Sequence, residues 1–191
     1  MIKKYFIPIA LLALSCSCAQ RDNFVIEGRT QGVEYHGQYV YLLDAYDMHQ
    51  ALDSAKVENG KFHFEGAQPA PAMRTLRLQA VGDMFPILLP IVLENEEIEI
   101  TMGDRVTVEG TKLNDKIQSF LMAISHFTDQ DFSTMTTEEM ELQFQNLIID
   151  QVLMNKDNMV GTYIYKIYAP KLTEDQRTDL CAKAGTEFAK Q

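Results

Sequence analysis

The feature that most constrains this chain is a change in hydrophobic period near Gly110. Before it, apolar and polar residues alternate; after it, apolar residues recur every three or four positions. Alternation places one set of side chains on one face of a strand, and the longer period places them on one stripe of a helix. Strands in one run and helices in the next predict an α+β fold with segregated layers. The expected architecture is an N-terminal antiparallel β-sandwich or partial barrel of about eight strands, followed by a small C-terminal group of about four helices.

The strands can be read one by one. Phe24 to Gly28 opens the first and Gly37 to Leu43 forms the second, rich in the aromatic and β-branched residues that strands favour. Ala51 to Val57 and Lys61 to Gly66 flank Asn59-Gly60, a pair suited to the positive φ angles of a type I′ turn, and so predict a hairpin. In its second arm Phe62 and Phe64 share one face, while Lys61, His63 and Glu65 share the other. Further strands are expected at Arg74 to Val81, Ile87 to Glu94, Glu97 to Met102 and Val106 to Glu109. The run from Ile87 to Leu93 is apolar on both faces, which requires burial on both sides or contact with the helical part. Pro90 within it predicts a bulge or a sheet edge, because proline cannot donate to a ladder.

Four helical stripes follow. Leu113, Ile117, Phe120, Leu121 and Ile124 make the first. Thr136 and Glu139 have the spacing of a capping box and open a second, which carries Met140, Phe144, Leu147, Ile148 and Val152. Val160, Tyr163, Ile164 and Ile167 form a third, stopped before Pro170. Thr173 and Gln176 form a second capping box, leading to Leu180, Cys181 and Ala184.

The N-terminus reads as an address. Lys3 and Lys4 precede an uncharged apolar run, Tyr5 to Leu14, that is too short for a spanning helix, which needs about 20 residues. The following Leu12-Ala13-Leu14-Ser15-Cys16 resembles a bacterial lipobox, which implies cleavage before the cysteine and diacylation of its thiol. Cys16 is the favoured lipidation site and Cys18 the alternative. An ordinary signal peptide cut after Ala19 is a third reading. Two or three acyl chains anchor stably where one does not. The expected organisation is a signal peptide over 1–15, a lipidated tether over 16–23, a β-domain over 24–110 and a helical segment over 111–191.

Charge and motif content exclude several function classes. With 17 basic and 27 acidic side chains the net charge is -10, against a nucleic-acid partner, whose phosphates require a basic patch. The three cysteines do not make a disulfide framework. Cys181 lies on an apolar stripe and reads as a buried thiol, or as a free thiol open to a mixed disulfide. His36, His49, His63 and His126 show no metal-ligand spacing, and Asp44, Asp47 and Asp53 do not fit a calcium loop, so no metal is expected. The clusters Glu94 to Glu97 and Glu138-Glu139 read as a solvated turn and a helix N-terminus. No nucleophile elbow, P-loop or dinucleotide fingerprint is present, so neither a cofactor nor an enzymatic activity is expected. Tyr35, Tyr39, Tyr41 and Tyr46 could line a binding face on or near the second strand, although strand packing is the commoner cause of such a cluster. A sheet edge offers a second kind of docking surface.

A resemblance sharpens these expectations. Phe24 to Gly28 (Phe-x-Ile-x-Gly), Val40-Tyr41-Leu42, the stretch Asp53 to Gly66, Leu93-Glu94 with Ile98 and Ile100, and Val108 to Asn114 occur in a fixed order. Together they resemble the domain of unknown function at the N-terminus of thioredoxin-like lipoproteins of Bacteroidetes. Asn158 to Tyr163 and Leu180 to Phe188 resemble the segment that joins this domain to the thioredoxin module. The sequence ends at Gln191, where that module would begin, and no Cys-x-x-Cys pair is present to supply its low-pKa thiolate. The relatives' redox role therefore maps onto no residue here. The resemblance implies a lipid-anchored module of the cell envelope, in the outer membrane and facing the periplasm, that binds a ligand or an envelope protein without turning it over. Two alternatives are an accessory to thiol–disulfide exchange by a separate thioredoxin-like protein, and a remnant of a thioredoxin-fused lipoprotein.

Overall fold

The computed structural model describes residues 22–82 and 85–185. The signal segment, Cys16, Cys18 and most of the tether lie outside the described residues. Eight strands are seen among those described: β1 (Phe24–Thr30), β2 (Tyr39–Asp44), β3 (Ala51–Lys56), β4 (Lys61–Gly66), β5 (Ala72–Leu78), β6 (Ile87–Leu93), β7 (Glu97–Met102) and β8 (Thr107–Glu109). Four α-helices follow: α1 (Lys112–Thr128), α2 (Thr137–Met154), α3 (Met159–Tyr168) and α4 (Glu174–Ala184). The fold is α+β, with two four-stranded sheets, in the orders β4-β1-β7-β8 and β3-β2-β5-β6.

The core lies between the sheets. Ile26, Phe62, Phe64, Ile98 and Ile100 point inward from the first sheet; Val40, Leu42, Leu76, Leu78 and Leu89 do so from the second. Gly28 is required by this packing. It sits opposite Phe62, and a Cβ at Gly28 would run into the Phe62 ring.

Two strand pairings differ from the expected antiparallel pattern. β1 pairs with β4 in antiparallel fashion but with β7 in parallel, so the first sheet is mixed. Asn59 and Gly60 do form the tight turn, with φ of 52° and 71°, closed by reciprocal Glu58 and Lys61 backbone bonds. The turn does not head a two-stranded ladder, however. β3 runs beside β2 in the second sheet and β4 beside β1 in the first, so the turn carries the chain from one sheet to the other. The physical reason is burial: Phe62 and Phe64 stack their rings edge to face inside the sandwich, and β3 is almost wholly exposed.

Pro90 lies on β6, an edge strand, opposite Thr75 of β5. The Val92 peptide groups point away from β5, and alternate residues share that side. Pro90 thus faces the free edge, where its missing N–H costs no ladder bond. The one register shift on β2 falls elsewhere, between Leu42 and Leu43.

The helices cover the second sheet. α1 packs against β6 and also against β8, closing the side of the sandwich where those two edges meet; α3 packs on β5. This explains why Leu43, Met73, Thr75 and Val92 are buried although they alternate with the inward-facing residues. Both capping boxes form, at Thr136 with Glu139 and at Thr173 with Gln176. The buried residues of α3 are confined to the part of the helix nearer its start, from Val160 to Ile164. Val160, Tyr163 and Ile164 are buried, but Ile167 is 41% exposed, and Gly161 and Thr162 take part in the contact instead. Gly161 is packed so closely on the Asn155 carbonyl that a side chain would collide with it.

Candidate functional site

With the helices on the second sheet, the outer face of the first sheet is left bare by the described residues. Its strands place outward-facing residues in rows. One row reads His63, Glu27, Glu99 and Glu109 across β4, β1, β7 and β8. The next reads Lys61, Arg29, Thr101 and Thr107. All of these but His63 line a polar depression of about 340 Å³, floored in part by the Gly28 backbone.

The electrostatics of these rows are uneven. His63 Nδ1 lies 3.1 Å from Glu27 Oε1, and its Nε2 lies 3.8 Å from Glu65 Oε2. All three side chains are about half exposed or more, so solvent screens these contacts. Glu27, Glu99 and Glu109 stand on neighbouring strands in direct register. Like charges so placed repel, and a sheet gains nothing in stability from them. Among the described residues, Arg29 and Lys61 form no ion pair that would consume their charge. The face thus offers carboxylate acceptors beside cationic and hydroxyl donors, an arrangement suited to holding a polar ligand.

The other candidates have structural partners. Tyr35 is buried. Tyr46 packs on Tyr163 at 6.2 Å and lies under the Lys166 ammonium. Tyr39 and Tyr41 are neighbours on the uncovered end of the second sheet, with the Arg77 guanidinium 5.1 Å from the centre of the Tyr41 ring. Burial raises the Tyr46, Tyr163 and Tyr168 hydroxyls above their ordinary range. Cys181 is half-buried, its Sγ 3.5 Å from the Tyr165 hydroxyl; that contact, ahead of burial, raises the tyrosine's pKa.

His36 accepts the Asn59 N–H, and His49 and His126 are exposed. Asp44 accepts from the backbone of Tyr46 and Asp47 and from Arg74, and Asp53 accepts from the Ser54 N–H. Glu94 accepts the Thr111 hydroxyl, and Glu139 closes its capping box. Among the described residues no group of three or more His, Cys, Asp or Glu is placed to hold a metal ion. No helix among them is long and apolar enough to cross a membrane.

Sequence reasoning put His63 and Glu65 outward but missed the alignment of His63 with Glu27, Glu99 and Glu109. The signal was present in the alternating Glu97 and Glu99 of β7. What was missing was the parallel pairing that sets β7 beside β1.

Fold and face together define a two-sheet sandwich with helices on one side and an open, charged sheet on the other. Residues 24–117 match a family model described as a domain of unknown function (DUF4369). The match spans the eight strands and continues into α1 as far as the fully buried Ile117. Comparison with curated proteins finds no match.

Proposed function

We propose that the protein is a lipid-anchored lipoprotein of the cell envelope that acts as a non-enzymatic binding module, its ligand or protein partner meeting the bare face of the first sheet. The observation that carries this reading is the one-sided cover: the helices pack on one sheet, and the opposite sheet displays, among the described residues, the Glu99 and Glu109 carboxylates beside the Arg29 and Lys61 cations with no ion pair between them. The lipobox-like segment ending at Cys16 supports anchoring, with Cys18 as the alternative acceptor. The resemblance to the first domain of thioredoxin-like lipoproteins of Bacteroidetes supports an outer-membrane site facing the periplasm.

Palmitate labelling with membrane fractionation tests the anchor. Wild type carries label and sediments with the membrane, and Cys16→Ala loses both properties while Cys18→Ala keeps them. If the double variant still takes up label and stays in the membrane, the anchoring reading fails.

A further inference from the structure

We draw no further inference here: the strongest candidate, the carboxylate row Glu27, Glu99 and Glu109 on the bare face of the first sheet, is an acidic cluster with no bound ion or buried unpartnered side chain to show which ligand it meets.

Discussion

The side-chain amide of Asn114 makes both hydrogen bonds to Val92 that a neighbouring strand would make. Its Oδ1 accepts the Val92 N–H at 2.8 Å, and its Nδ2 donates to the Val92 carbonyl at 2.8 Å. Asn114 is fully buried and is held in turn by Thr111, whose hydroxyl donates to Glu94. One turn further along α1, Gln118 accepts the Val108 N–H of β8. One helix face therefore satisfies an edge strand of each sheet, and an uncovered edge is a pairing hazard.

Replacing Asn114 with Leu keeps the bulk but strands a buried donor and a buried acceptor on Val92. Each unsatisfied group costs roughly 1–3 kcal/mol, so Asn114→Leu should lose about 2–6 kcal/mol of stability. Urea unfolding measures this. A loss below about 0.5 kcal/mol would show that the amide contributes little to closing the edge.

Gly28→Ala should destabilise by roughly 1–3 kcal/mol, because the added methyl meets the Phe62 ring in a packed core. The pair Gly28→Ala with Phe62→Leu should recover part of that loss. Thermal unfolding of the single and double variants reads the coupling, and strict additivity would contradict the proposed clash.

Removing a cap should be felt locally. Thr136→Ala deletes the acceptor for the Glu139 N–H and should cost about 1 kcal/mol. Amide exchange should accelerate in the first turn of α2 and stay unchanged in the sandwich.

Alkaline pH should unfold the protein through its tyrosines. Tyr46, Tyr163 and Tyr168 are raised by burial from the ordinary 10.0, and Tyr165 chiefly by its contact with Cys181. A group raised in the folded state contributes its full stabilisation below the unfolded pKa. That contribution falls away as pH rises through 10.0 towards the folded values, because the unfolded chain ionises first. Tyrosinate absorbance should therefore lag behind that of free tyrosine and then rise together with the loss of tertiary signal. In Tyr163→Phe the pH dependence above 10 should be shallower; an unchanged curve would remove Tyr163 from this account.

Local chemistry was legible in the sequence wherever it acts over a few residues. Thr136 with Glu139, Thr173 with Gln176 and the Asn59-Gly60 turn stand where their side chains and φ preferences put them. Pairing between distant strands was not legible. Nothing local in Val25 to Thr30 states that β7 runs parallel beside it, since an antiparallel partner would bury Ile26 equally well. The Asn59-Gly60 turn suits a hairpin and a crossing between sheets alike; the core packing of Phe62 and Phe64 decides between them. The candidate site inherits this limit. Its residue types are visible as outward-facing positions, but the row from His63 to Glu109 exists only once four strands are in register.

Site-specific photo-crosslinking in intact cells tests the central claim most directly. A photoreactive residue at Glu99, on the bare face, is compared with one at Asp150, exposed on α2. The account predicts a discrete adduct from position 99, weakened by Glu27→Lys and Glu109→Lys, and none from position 150. Adducts from position 150 alone, or the same products from both positions, would contradict it.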